Sequence, residues 1–206
     1  MNYVENLVER YPELACCKED VLAVVFAIVD CYKKGGKVLL CGNGGSAADC
    51  EHIAGELLKG FVSKRPLPNE KIEMLEKNIG RDMAMKLQGA VPAIPLPSII
   101  GVLSAFANDV DPDLVYAQLV SAFAKPDDVL ISISTSGNSK NALLASKVAK
   151  SLGIKTVALT GAAGGELSKV SDVSVRVPAT ETYKVQEYHL PVYHAICAEV
   201  ERIIFS

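Results

Sequence analysis

The chain has 206 residues, a formal net charge of −3, 50% hydrophobic and 22% charged residues, six cysteines and three histidines. That length suffices for one large domain or two small ones with a substantial core, and the ordinary apolar fraction excludes a disordered chain. Mild acidity without any dense Lys/Arg block excludes nucleic-acid binding by bulk charge.

In chain order, the first 34 residues carry Leu7, Leu14, Leu22, Val25 and Ile28 at helical spacing, and Pro12 predicts a break between two helices. The start of the chain is acidic where a leader would be basic and then apolar, and no apolar run approaches the ~20 residues of a membrane span. A cytoplasmic protein with no membrane partner is expected. Cys16, Cys17, Cys31, Cys41, Cys50 and Cys197 contain no CxxC pair, which rules out a zinc ribbon; they are expected to be reduced, buried small hydrophobes. Short apolar runs at 37–41, 91–96, 128–134, 155–160 and 173–177 alternate with helical or loop-like stretches. This rhythm predicts a doubly wound α/β fold with a parallel sheet covered on both faces, an N-terminal helical extension and a long C-terminal helix over 183–204. Residues 69–88 break the rhythm. They are highly charged, with Ile72, Leu75 and Ile79 at helical spacing, and predict one largely exposed inserted helix whose charges a solvated face explains at least as well as a binding role. Pro191 predicts a kink in the last helix between Gln186 and His194.

Three constellations can carry chemistry. The first strand runs into Gly42-Asn43-Gly44-Gly45-Ser46 and then a helical pattern over 47–58, where backbone N–H groups can approach an anion. The loop lacks the Walker Lys-Ser/Thr and the three-glycine spacing of a dinucleotide fingerprint, so ATP and NAD are poor fits. The second constellation, Ser134, Thr135, Ser136 and Ser139 around Gly137 and Asn138, again joins an apolar strand to a helix. One hydroxyl would serve as a helix cap; the cluster suits the three oxygens of a terminal phosphate, and a small phosphomonoester fits better than a triphosphate because the loop holds no cation. In the third, His52 and Glu56 are four apart on one helix face, while Gln186 and His194 are eight apart and offset by ~80° on the last helix. All three histidines, His189 included, lie on these two helices. The set could bind a divalent metal such as zinc, or supply a general acid and base beside a carbonyl.

Segments 41–58, 107–109, 131–139, 156–165 and 186–194 together resemble the phosphoheptose isomerases, sugar-isomerase (SIS) domain proteins that interconvert sedoheptulose 7-phosphate and D-glycero-D-manno-heptose 7-phosphate. The resemblance spans nearly the whole chain and implies one SIS domain over 1–206, with a five-stranded parallel sheet between helices. Residues 1–34 would serve oligomerisation, and 64–90 would be an inserted charged helix acting as an extra interface or a partial lid. It implies that Ser134, Thr135, Ser136 and Ser139 hold the phosphate of a phosphorylated sugar, and that Asn43, Gly44, Gly45, Ser46, Asn108 and Asp109 contact the sugar chain. It also implies a zinc site of His52, Glu56, Gln186 and His194, with Glu56 and His194 as the proton-transfer pair and Gln186 also near substrate, in a homotetramer whose active sites are built from neighbouring subunits. Two other classes compete: a non-catalytic SIS scaffold such as a replication-initiator-associating protein, and a sugar-phosphate-sensing module. Neither needs the His52, Glu56, Gln186 and His194 quartet, which favours the enzyme.

Overall fold

A computed structural model describes residues 2–205. Five strands, β1 (Val38–Gly42), β2 (Ala93–Pro95), β3 (Val129–Ile133), β4 (Lys155–Thr160) and β5 (Val173–Arg176), form one parallel sheet in the order β2-β1-β3-β4-β5. Every residue of β1 and β3 is buried, as a central parallel strand with helices on both faces requires. The strand period divides the core: Val38 and Leu40 join one cluster, Leu39 and Cys41 the other.

Helices α1 (Tyr3–Arg10), α2 (Lys18–Lys33), α3 (Gly45–Leu58) and α10 (Thr182–Phe205) cover the first face; α7 (Val115–Phe123) and α8 (Lys140–Ser151) cover the second. The remaining helices are α4 (Asn69–Ile79), α5 (Arg81–Ala84), α6 (Ile100–Asp109) and α9 (Gly165–Val170). Asn2 caps α1 by accepting from the backbone N–H of Val4 and Glu5, and Pro12 opens a 3-10 segment (Pro12–Cys17) that separates α1 from α2. All six cysteines are free, and five are buried; burial raises the Cys17, Cys41 and Cys197 thiols to about 12, well away from the reactive thiolate range. Among the described residues no helix is long and apolar enough to cross a membrane.

One expectation needs correction. The inserted segment is two helices, α4 and α5, because Gly80 adopts φ +78 and ends the first; residues 85–88 are not helical. The segment is largely exposed, as expected, and it is anchored on its apolar side. Leu67, Ile72, Ala84 and the half-buried Leu75 pack into a small separate cluster, and Arg65 is buried. In the last helix, helical structure runs unbroken through Pro191. The carbonyl that loses its donor belongs to Glu187, which is exposed, so water can replace the missing N–H.

His189 is fully buried on α10, with neither ring nitrogen in a hydrogen bond. Burial lowers its pKa from 6.5 to about 4, which the backbone of Thr160 offsets only in part. The unfolded chain therefore takes up a proton near pH 6.5 that the folded chain refuses until about pH 4, so stability falls as pH drops through that window. Urea unfolding between pH 7 and pH 4 should lose up to ~3 kcal/mol on this account. His189→Leu should flatten that part of the profile, and an unchanged slope in the variant would assign the loss elsewhere.

Candidate active site

The strand order reverses direction between β1 and β3: the chain leaves β1 toward β2 and returns on the other side to build β3, β4 and β5. In open α/β sheets the crevice outside the carboxyl ends at such a switch point is the ligand site. Both glycine- and hydroxyl-bearing loops emerge there, one after β1 and one after β3.

The two loops are pinned to each other. Asn43 Nδ2 donates to Asn141 Oδ1 (2.8 Å), and Asn141 Nδ2 donates back to Asn43 Oδ1 (3.0 Å). Tyr116, buried on α7, donates its hydroxyl proton to the Gly42 carbonyl (2.6 Å) from a position 3.2 Å from Asn43 Oδ1. Gly44 is the N-cap of α3 with φ +56, and no side chain caps the first turn. Gly45 matters for a different reason. A Cβ there would stand 2.5 Å from Nε2 of Gln186, so the Gln186 amide occupies the space over the loop. Asn43, Gly44 and Gly45 are exposed, whereas Ser46 is buried.

In the second loop, the Ser134 and Ser139 hydroxyls lie 2.9 Å apart, and the backbone N–H of Ser139 points at Ser134 Oγ (3.4 Å). Ser136 Oγ accepts from the Asn138 N–H (3.2 Å) and is exposed, with Thr135 half-buried beside it. Ser139 is the N-cap of α8, yet its side chain makes no cap bond. The first turn of α8 therefore has no side-chain cap. The loop is held against the β4 side by Gly137 at φ +69, where a Cβ would run into the Gly164 carbonyl. Lys140, the first cation after the loop, is paired with Asp113.

Between α3 and α10 the polar quartet partly assembles. His52 Nε2 lies 3.2 Å from Glu56 Oε1 and 3.4 Å from His194 Nε2, and Lys59 Nζ donates to Glu56 Oε2 (2.9 Å). Burial and the neighbouring His52 hold the His194 imidazole below its ordinary pKa, against the pull of Glu56. In donor type, two imidazoles, a carboxylate and an amide oxygen suit zinc. The two separations, 3.2 and 3.4 Å, are close to the ~3.3 Å edge of a tetrahedral shell with bonds of about 2.0–2.1 Å. Among the described residues, however, no group of three or more His, Cys, Asp and Glu side chains is arranged to hold a metal ion. The set is complete in chemistry and incomplete in placement, with Gln186 lying against Gly45. Asn108 and Asp109 stay apart from it: they bond each other (2.8 Å) on the exposed end of α6, a helix without a buried residue.

Sequence patterns miss the parts that hold this site in place. Arg65 is 1% exposed and Glu201 3%. The Glu201 carboxylate accepts from Arg65 Nε (2.7 Å) and from the backbone N–H of Phe61, Val62 and Ser63, while Arg65 donates to the carbonyls of Leu57 and Glu56 at the end of α3. Phe205 lies under the guanidinium at 4.9 Å. The pair thus caps the helix that carries His52 and Glu56 and ties it to α10. Nothing in a charged stretch marks one arginine out of its neighbours as buried; Asn141 and Tyr116 carry no local signal either. Arg65→Met should destabilise the fold by about 3–5 kcal/mol in urea, since it strands a buried carboxylate. A loss under about 1 kcal/mol, the level of exposed pairs, would show that this ion pair contributes no more than a surface one.

Residues 99–198 match the SIS domain family, and residues 2–94 match a second SIS domain family. A phosphoheptose isomerase of Akkermansia muciniphila is 34% identical over 205 residues, which is 100% of this chain and 96% of its own. One from Clostridium acetobutylicum is 41% identical over 188 residues, 91% of this chain and 84% of its own. The solved structure of a phosphoheptose isomerase from Francisella tularensis superposes with a TM-score of 0.78 at 30% identity, covering 97% of this chain and 95% of that one.

Proposed function

The chain belongs to the phosphoheptose isomerase family of SIS-domain proteins and is an aldose–ketose isomerase of sugar phosphates; from that premise we propose that it interconverts sedoheptulose 7-phosphate and D-glycero-D-manno-heptose 7-phosphate. The observation that carries this reading is the meeting of His52, Glu56 and His194 where α10 crosses α3, the helix that starts from the first of two pinned loops at the switch point of the sheet.

Ser134, Thr135, Ser136 and Ser139, together with the uncapped start of α8, bind the phosphate with neutral donors. Asn43, Gly44, Gly45, Ser46 and Gln186, with Asn108 and Asp109, take the sugar chain. Conversion of ketose to aldose moves a proton between C1 and C2 through an enediol, so one group must abstract at carbon while another serves the oxygen. Glu56 is the base, held between His52 and Lys59. His194, whose lowered pKa favours the neutral imidazole at pH 7, donates the proton to the oxygen. His52, Glu56, Gln186 and His194 would hold zinc, which when bound polarises the carbonyl and stabilises the enediolate. The working assembly is a homotetramer in the cytoplasm; the exposed α6, with Asn108 and Asp109 at its end, supports active sites completed across subunits.

Glu56→Gln should lower turnover by about 10²–10⁴-fold while leaving binding of the phosphorylated sugar in place. Hydrogen exchange with solvent at C1 of sedoheptulose 7-phosphate, measured by NMR beside a binding titration, reads both quantities, and unimpaired exchange in the variant overturns the assignment of the base. A panel of five- to seven-carbon ketose phosphates tests the substrate in the same assay: preference for a five- or six-carbon ketose overturns the heptose. Elemental analysis of the purified protein tests the zinc.

A further inference from the structure

Helix α9 has Gly164 at its N-cap and so no side chain of its own to close its first turn. The closure comes from the loop after β3. The Glu166 N–H donates to Oδ1 of Asn138 (3.1 Å) and the Leu167 N–H to the Gly137 carbonyl (2.9 Å), which satisfies two donors that a helix start leaves without partners. The other end of the same amide turns back into the loop, where Asn138 Nδ2 donates to the Ser136 carbonyl (3.2 Å). One exposed side chain thus joins α9 to the middle of the hydroxyl cluster.

Four consecutive carbonyls of this loop each have a donor. Ser134 accepts from the Gly137 N–H (3.0 Å), Thr135 from the Gly161 N–H (3.0 Å), Ser136 from the Asn138 amide and Gly137 from the Leu167 N–H. Three of these donors are backbone; the Ser136 carbonyl alone depends on a side chain. It is also held against α9, since a Cβ on Gly165 would stand 2.5 Å from its oxygen. A carbonyl oxygen repels an anion, whereas a hydroxyl can donate to one. Ser136 Oγ already accepts from the Asn138 N–H (3.2 Å), which leaves its own proton to give. We infer that Asn138 is a positioning residue for phosphate binding: it holds the Ser136 carbonyl toward α9 and keeps the turn in the form in which the Ser136 hydroxyl donates to the anion. This role rests on the proposed phosphate loop of Ser134, Thr135, Ser136 and Ser139.

Two variants separate this role from a merely structural one. Asn138→Ala removes both side-chain bonds, while Asn138→Asp keeps an acceptor for the Glu166 N–H and loses the donor to Ser136. Calorimetric titration with inorganic phosphate, together with KM and kcat for sedoheptulose 7-phosphate, reads the loop; thermal unfolding reads the start of α9. Asn138→Ala should weaken phosphate binding and raise KM by about tenfold, the scale of one lost hydrogen bond, with kcat little changed. Asn138→Asp should regain the thermal stability that alanine loses and none of the phosphate affinity, titrated in high salt to screen the added charge. Unchanged phosphate affinity in the alanine variant overturns the inference, as does an aspartate variant that recovers stability and affinity together, which would make Asn138 a cap for α9 and nothing more. If the alanine variant does not fold, phosphate binding by the aspartate variant decides alone, and wild-type affinity there overturns the role. A wild type that binds neither inorganic phosphate nor sedoheptulose 7-phosphate refutes the phosphate loop itself and this role with it; a wild type that binds both beside an unimpaired variant refutes the role alone.

Discussion

The packing of α10 across α3 is the constraint on which the rest of the site depends. Val192, Tyr193, Ile196, Cys197 and Val200 are buried within the cluster that also holds Cys50, Ile53, Ala54 and Leu57. Directional bonds then fix how the two helices sit along each other. Glu201 and Arg65 tie the end of α3 to α10, and Glu199 accepts from the Tyr3 N–H and so fastens α1 to the same helix. Apolar burial supplies most of the driving force and is tolerant of sliding; the buried carboxylates are not. A shift of one helical turn, about 5.4 Å, would separate His194 from His52 and strand Glu201 from its donors together.

Burial also explains why these cysteines and tyrosines are structural. Desolvation holds the thiols protonated, so Cys41, Cys50 and Cys197 behave as small hydrophobes directly beneath a site rich in donors. Tyr116 and Tyr193 are likewise kept protonated by burial and serve as rigid hydrogen-bonding posts, one under the β1 loop and one under His52.

Much of the fold is legible in the sequence because parallel strands advertise themselves: runs such as Val129–Ile133 are buried on both faces and so are apolar throughout. The two loops are legible for a related reason, since glycines and clustered hydroxyls at a strand's end have few other uses. Gly80 shows the opposite case. A single glycine within a helical pattern is compatible with continuing, and only its positive φ reveals that the chain turns there. Arg65, Glu201, Tyr193 and Asn141 escape because their roles arise from partners 98 to 141 positions away. Local periodicity cannot distinguish such a residue from one that faces water.

The two glycines that follow Asn43 have separate reasons to be glycine, and these have different evolutionary reach. Gly44 is fixed by its own backbone, at φ +56, and any side chain is strained there whatever surrounds it. Gly45 is fixed by another residue, because the Gln186 amide lies where its Cβ would stand. Its freedom to change is held on a different helix, 141 positions further along the chain. A side chain at 45 requires the Gln186 amide to swing off the loop or 186 to carry a shorter side chain, so a change at either position is felt at the other.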